Sequence, residues 1–562
     1  MSRFSHLSKQ EKKAAIKQLA LQNRERLFRI KPVETEQVAG NELIDIEIKP
    51  SRYNIVIPIA KGRALLFNSV NRHLVLLDSD EHQQWSHYCE KLKLVEKDYS
   101  VKLNRQLEST LTSSGFLVDA EFDEIEAVKT NYFKERQDKS TLMLTVAPTM
   151  ACNFACGYCF QGLNKDLRKI DEKVPDAIYQ FIESKKQELS NLSITWYGGE
   201  PLMGRETIFE LSDKIIKLCD ESSINYNSGI VTNGFFLTPK VAQKLFDRRC
   251  TYAQVTIDGM EEVHDKQRPL LSGRGSFKEI MQNIRAVMEE TPFAIAVRVN
   301  VGQENLVSAE KLLTYLTEEG YSQYGQFSVY FAPIEASTAE SGTAFNESLS
   351  KQEFNERLIK LRARATEAGL SSVVTAPTGI LGMCVAAHEG GYVISPNGDL
   401  HKCWETAHDP SKRIGTIFDH TNSNVTVNSQ LWENWSPFDN PVCSNCSILP
   451  MCGGFCPHRY VYYGSGDDNA LPCPDWKWNT AEYLFSRAKS LGFVTDDDWL
   501  AGQATASAKQ SGERHSAESL KYSQQIVIDK IKNNTGLVIT PETIQKGEET
   551  MPIRIIENTL RE

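Results

Sequence analysis

Ten of the chain's thirteen cysteines stand in two groups, and no other feature of the sequence restricts the fold as strongly. The first group is Cys152, Cys156 and Cys159 in the run ACNFACGYCF. The second is Cys384, Cys403, Cys443, Cys446, Cys452, Cys456 and Cys473. The first 27 residues are charged throughout and lack the apolar h-region of a secretory signal. The expected compartment is therefore the cytoplasm, where clustered thiols serve metal binding or catalysis rather than disulfides. Cys89, Cys219 and Cys250 stand alone and read as small buried hydrophobes.

With 562 residues the chain is long enough for several domains, and its 41% hydrophobic and 24% charged residues are those of a globular protein. No apolar run approaches the roughly 18 residues of a membrane span, so no membrane partner is expected. The net charge of −10 would on average repel a phosphate backbone, which argues against nucleic acid as a partner. Residues 1–40 are polar and helix-prone, and read as a helical arm. Residues 41–135 hold three short apolar runs, YNIVIP, RALLFNS and HLVLLDS, which read as a meander followed by two helices. Between residues 140 and 345 six strand-like runs alternate with helix-length amphipathic stretches, which predicts an α/β fold, a partial (β/α)6 TIM-like barrel. Chemistry belongs at the C-terminal ends of such strands, and Cys152 follows the first of them directly. Residues 351–370 read as one more helix, and the Cys/Gly/Pro-rich stretch up to residue 478 shows little regular periodicity. Residues 479–562 read as a helical and flexible extension, with GQATASAKQSGERHS as a linker.

A zinc site normally takes four N or S ligands from two separated pairs. Three cysteines spaced by three and two residues on one loop wrap a corner of an iron-sulfur cube instead, and leave one iron without a protein ligand. With Tyr158 before the last cysteine, CxxxCxYC resembles the signature of the radical S-adenosylmethionine (SAM) enzymes. The resemblance implies that the open iron binds the amino and carboxylate groups of SAM. An electron from the cluster then cleaves the sulfonium to methionine and a 5′-deoxyadenosyl radical. It implies further SAM contacts: Tyr158, then Gly198, Gly199, Glu200 and Pro201 of a GGEP motif, whose backbone and carboxylate hold the ammonium group. Thr256 and Asp258 in VTIDG, Asn233 in VTNG and Arg298 in VRVN complete the set. Asp258 and Arg298 equally suit a structural ion pair across the barrel mouth.

The second group, with Gly398 between Cys384 and Cys403, resembles the seven-cysteine pattern of SPASM domains. A zinc ribbon on Cys443, Cys446, Cys452 and Cys456 would leave the other three cysteines unused. The resemblance implies two auxiliary 4Fe-4S clusters, hence three 4Fe-4S clusters in all. The outer one takes Cys443, Cys446, Cys452 and Cys473. The inner one takes Cys384, Cys403 and Cys456, its fourth iron either open to substrate or capped by a neighbour such as His388, Glu389, His401 or Glu405. Enzymes of this pattern act mostly on peptides or proteins, and residues 41–135 resemble the small winged-helix-like module that recognises leader peptides, while suiting a plain structural cap on the next domain equally well. The expectation is an oxidoreductase of the RiPP-maturase type. It would remove a hydrogen from a ribosomally made precursor peptide and install a C–C, C–O or thioether crosslink. Its implied partners are that precursor, with its leader, and a low-potential electron donor such as flavodoxin or ferredoxin. No catalytic acid or base is assigned; Tyr330 and Asp258 read as framework or cofactor contacts. Two alternatives stand beside it. An anaerobic sulfatase maturase would form formylglycine, but there an aspartate follows the cysteine equivalent to Cys403, where this chain has Trp404. A catalytically inactive iron-sulfur scaffold or electron carrier is the other.

Overall fold

The computed structural model describes residues 47–92, 103–162, 167–336, 338, 340–370, 384–419, 426–462, 472–500, 516–535, 539–540 and 544. The helical arm expected over residues 1–40 and the linker expected from residue 502 lie outside these, apart from Ser516.

The N-terminal unit begins with β1 (Ile48–Pro50) and an antiparallel meander of β2 (Asn54–Pro58), β3 (Ala64–Asn68) and β4 (Leu74–Leu77). Helices α1 (Ser79–Leu92) and α2 (Arg105–Ser113) follow, and β5 (Leu117–Asp119) returns to pair with β1. These are the strands and helices the apolar runs predict. Side chains on a strand point alternately to opposite faces, and β3 uses both. Leu65 and Phe67 join Ile55 and Ile57 in a core shared with the cysteine-rich region and the C-terminal helices. Leu66 packs on the other side with Trp85, Leu107 and Leu111. The small sheet is thus covered on both faces and docked onto the remainder of the chain.

Helix α3 (Glu124–Arg136) leads to the barrel. Its last residue, Arg136, is 4% exposed, and its guanidinium donates to the carbonyls of Trp435 at 2.5 Å, Trp432 at 2.6 Å and Glu433 at 3.1 Å. Those carbonyls end a helix, where a cation is favoured and acceptors would otherwise go unpaired. Replacing Arg136 with methionine keeps the apolar stem and strands the three acceptors. The expected cost is about 2–4 kcal/mol, read as a lower midpoint for the first thermal unfolding transition, with Arg136→Lys recovering part of the loss.

Strands β6 (Thr141–Val146), β7 (Asn191–Trp196), β8 (Asn225–Thr232), β9 (Cys250–Thr256), β10 (Ala294–Val301) and β11 (Phe327–Pro333) pair in parallel and in chain order. Between them run α4 (Val174–Lys185), α5 (Arg205–Glu221), α6 (Pro239–Phe246), α7 (Glu261–Gln267), α8 (Phe277–Glu290) and α9 (Leu306–Glu318), and α10 (Lys351–Glu367) follows β11. This is the expected α/β partial barrel. Alternation along β10 shows why it forms: Ile295, Val297, Val299 and Val301 are buried in the main core, while Arg298 takes the opposite face. Tyr330 on β11 reaches Gln254 on β9 across that same face. Cys219 and Cys250 are buried in the core, as their isolation predicts.

The cysteine-rich region is more regular than its sequence suggests. Strand β12 (Gly391–Ile394) pairs in parallel with β6 and turns into the antiparallel β13 (Asp399–His401), which pairs with β14 (Gly415–Thr416). The barrel sheet is thereby extended to nine strands, and β13 runs into Cys403. Further on are α11 (Val427–Asn434), α12 (Pro457–Val461), α13 (Thr480–Ser490) and α14 (Ala517–Thr535). Helix α14, expected only as part of a loose extension, buries Leu520, Val527, Ile528 and Ile531 in the core shared with the N-terminal sheet. Among the described residues, no helix is long and apolar enough to cross a membrane.

Candidate active site

The loop after β6 carries the cysteine triplet and is fixed from several sides. Phe154, fully buried, forms a bridge with Leu270; Ala155 N donates to Pro269 O at 2.8 Å, and Leu271 N to Asn153 O at 2.9 Å. Cys152 and Cys156 are 9% and 7% exposed, and all three thiols are free of disulfides. Tyr158 anchors the end of the loop. Its hydroxyl donates to Asp258 and accepts from Arg268 Nη1 at 2.6 Å and Asn300 Nδ2 at 3.1 Å. Asp258 is fully buried, and its other carboxylate oxygen accepts from Asn300 N at 3.1 Å. Burial raises the Asp258 pKa, with Arg268 and the Tyr158 hydrogen bond opposing.

The sequence leaves Asp258 two roles, cofactor contact or ion pair with Arg298. In the structure its hydrogen bonds come from Tyr158 and Asn300, while Arg298 Nε donates to Asn300 Oδ1 at 2.7 Å. A second cation, Arg268, bonds Tyr158 directly, and the sequence does not single it out. Its guanidinium lies 5.6 Å from the Phe154 ring centroid, and Cys156 is the strongest of the charges that favour its charged form against burial.

The GGEP run follows β7 and passes directly beneath the cysteine loop. Gly199 N donates to Thr149 O at 3.0 Å and Glu200 N to Ala151 O at 2.8 Å. Gly198 has φ +123°, and a Cβ there would lie 2.4 Å from Thr149 O. Both glycines are required, for backbone conformation and for close approach. Glu200 is fully buried. Its Oε1 accepts from Thr232 Oγ1 at 2.7 Å and Leu202 N at 3.0 Å, and its Oε2 from Asn233 N at 2.8 Å. Pro201 opens the short 3-10 turn that Glu200 caps. Asn233 Nδ2 donates to Asn153 Oδ1 at 2.7 Å and lies 3.9 Å from Cys152 Sγ. Thr256, at the end of β9, is 8% exposed and in register with Arg298.

Two buried donors beside this loop, Asn153 Nδ2 and Arg268 Nε, have no hydrogen-bond acceptor among the described residues. Buried donors are seldom left so unless a ligand serves them. A cluster on the triplet with a carboxylate-bearing cofactor on its open iron fits these donors and the close glycine backbone.

The cysteines of the second group lie in two places. Cys443, Cys446, Cys452 and Cys473 line one space with Tyr460 and Lys477. Burial raises the Cys452 thiol, and Cys443, Cys473 and Cys446 raise it further. Cys443 is pushed up to about 12, by burial first. Burial also raises Cys403, with Glu405, Cys456 and Cys384 adding to the effect. Among the described residues no three His, Cys, Asp or Glu side chains converge as on a single metal ion. A cube instead spreads its thiolates over its corners and deprotonates them, relieving what burial imposes. Both cysteine sets fit that group. Of the neighbours considered as a cap for the inner set, Glu405 is the one whose charge reaches Cys403. His401 is fully buried, with Nδ1 next to Thr406 and Nε2 without a partner among the described residues, and His388 Nδ1 accepts from Gly390 N.

Aromatic rings join the two ends of the site. The Tyr197 ring is stacked on Phe160 at 6.1 Å and packs on Trp404 at 5.7 Å, so neighbours of Cys159, Gly198 and Cys403 form one panel. Beside Cys456, Arg459 pairs with Glu335, which follows β11, at 2.5 Å. Burial works to raise the Glu335 pKa, but Arg459 and Lys351 hold it below the usual carboxylate value. None of the panel or this pair was given a role in the sequence reading. Phe160, Trp404 and Arg459 stand close in the chain to Cys159, Cys403 and Cys456, whereas Tyr197 and Glu335 have no such signal.

Residues 146–316 match the model of the Radical SAM superfamily. The serine-type anaerobic sulfatase-maturating enzyme of Bacteroides thetaiotaomicron is 25% identical over 365 residues, 58% of this chain and 85% of that protein. Mycofactocin maturase MftC of Mycobacterium tuberculosis is 23% identical over 372 residues, 64% of this chain and 88% of that protein. The solved structure of His6-tagged anSMEcpe with bound AdoMet covers 67% of this chain and 100% of its own at 18% identity, with a TM-score of 0.47.

Proposed function

On the premise that residues 146–316 are a radical SAM domain, we propose that this enzyme is a maturase that removes a hydrogen from a ribosomally made precursor peptide and leaves a crosslink in it. One observation carries the reading: the Phe160–Tyr197–Trp404 panel joins the loop of Cys159 to the turn of Cys403. Substrate held against that panel would face both cysteine sets. When bound, SAM and its cluster supply hydrogen-atom abstraction. The chain's own residues do the rest. Cys152, Cys156 and Cys159 hold the cluster; Tyr158, Asp258, Arg268 and Asn300 fix the loop that bears them. Gly198 and Gly199 let the backbone pass close beneath it, and Asn153, Asn233 and Arg268 offer donors to the cofactor. The aromatic panel keeps water from the reacting carbon. Arg298 and the Arg459–Glu335 pair supply the polar groups that orient a peptide. The inner cysteines, Cys384, Cys403 and Cys456, hold an auxiliary cluster beside it, and the outer four hold a third. The docked unit of residues 47–119 supports leader recognition.

A second reading is favoured by two observations: the likeness to the sulfatase-maturating enzyme, and Glu405, whose charge reaches Cys403 one position beyond the aspartate that reading calls for. A single assay separates them. Reconstituted enzyme is given SAM, a reductant and either the peptide encoded beside its gene or a sulfatase-motif peptide. The expected result is 5′-deoxyadenosine whose yield depends on the precursor, and a precursor lighter by two hydrogens that does not react with a hydrazide. A hydrazide-reactive aldehyde in the sulfatase-motif peptide, with the precursor untouched, overturns the first reading in favour of the second.

A further inference from the structure

We propose that Lys477, assisted by Tyr460, sets the reduction potential of the cluster held by Cys443, Cys446, Cys452 and Cys473, as a positioning residue whose charge stabilises the reduced form. The proposal rests on the reading that these four cysteines ligate a cluster. Lys477 is 2% exposed and ranks among the largest fully buried side chains of the protein. Its Nζ lies 3.8 Å from Cys473 Sγ, four residues earlier in the chain. Tyr460, also 2% exposed, has its hydroxyl 2.8 Å from Cys443 Sγ. Both side chains line the same space as the four thiols, and among the described residues lining it there is no carboxylate.

Burying an ammonium group costs several kcal/mol unless anions surround it. Here the anions are supplied by the thiolates and sulfides of a cluster. Reduction takes one electron from an external donor, makes no bond, moves no proton and adds one negative charge to the set. A fixed cation against one sulfur and a hydroxyl donor against another favour that more negative state. Net charge, hydrogen bonds to sulfur and solvent exposure are the levers that set such potentials, and this site has a buried cation, a hydroxyl and little solvent.

The test is an EPR-monitored dithionite titration of the reconstituted full chain, with the outer signal assigned by its loss in Cys446→Ala. Lys477→Met is expected to shift the reduction equilibrium about tenfold toward the oxidised form, about 59 mV more negative for one electron. Tyr460→Phe should move it the same way by less, and Lys477→Arg should restore the wild-type midpoint. An unmoved midpoint in Lys477→Met at full iron content overturns the assignment. Should Lys477→Met shed its iron, Tyr460→Phe decides, and an unmoved midpoint there overturns it. A wild-type protein with no signal sensitive to Cys446→Ala instead removes the reading beneath the proposal, which is a distinguishable failure.

Discussion

Cys156→Ala is expected to lower the iron and sulfide of the reconstituted protein by about one third and to reduce 5′-deoxyadenosine formation by more than about a hundredfold. A cube with three protein thiolates already has one open iron, and the variant leaves two thiolates to hold it. Cys156 also has a neighbour that depends on its charge, since the thiolate helps to offset the burial of the Arg268 guanidinium. Removing it leaves a buried cation whose Nε has no acceptor among the described residues. The damage should stay local, because Cys152 and Cys156 belong to the barrel core whereas Cys443 and Cys446 belong to the other one. Two thirds of the iron should therefore survive, together with the EPR signal that Cys446→Ala removes. Iron analysis and chromatography of the nucleoside products check both halves. Wild-type iron content in Cys156→Ala, or undiminished 5′-deoxyadenosine, would show that the triplet is not the cluster site.

How much of this was legible in the sequence depended on whether the signal was local. The six barrel strands are runs of β-branched and apolar residues that alternate with amphipathic helices, so each could be read alone, and Phe277–Glu290 begins and ends where its pattern says. The cysteine groups were legible because ligand spacing is itself local. Strands β12 and β13 were not, because GYVI and DLH are too short to show a period and acquire their character only by pairing with β6. Helix α14 shows the same limit in another form: read only as part of a helical and flexible extension, it packs on the cysteine-rich region and the N-terminal sheet, partners far away in the chain. The link from Tyr158 through Arg268 and Asn300 joins residues up to 142 positions apart, and nothing in the spacing announces it. On sequence alone Asp258 and Arg298 suit an ion pair across the barrel mouth, but Arg298 lies within β10 rather than at its end. The structure instead places Asn300 between them, with its backbone N–H on Asp258 and its side-chain oxygen on Arg298.

Gly199→Ala is expected to be as damaging as the loss of a cysteine, for a steric reason. A Cβ at Gly199 would lie 2.2 Å from Ala151 O and 2.3 Å from Met150 O. Both atoms are backbone of the loop that leads into Cys152, so no side-chain rotation can make room. The loop cannot recede freely either: Gly199 N and Glu200 N donate to Thr149 O and Ala151 O, and Ala155 and Leu271 tie its far side to the segment after α7. Relief requires about 1 Å of backbone displacement, and a misplacement of that size costs about a hundredfold in a reaction that depends on near-attack geometry. Gly199→Ala should therefore keep the outer cluster's EPR signal and lose 5′-deoxyadenosine formation by about that factor. Gly325→Ala is the matched control, since a Cβ there meets nothing within 4 Å, and it should match the wild type in iron content and turnover. Full turnover in Gly199→Ala would mean that the backbone after β7 does not need to pass so close to the cysteine loop, and the account of the cofactor site would have to be rebuilt without it.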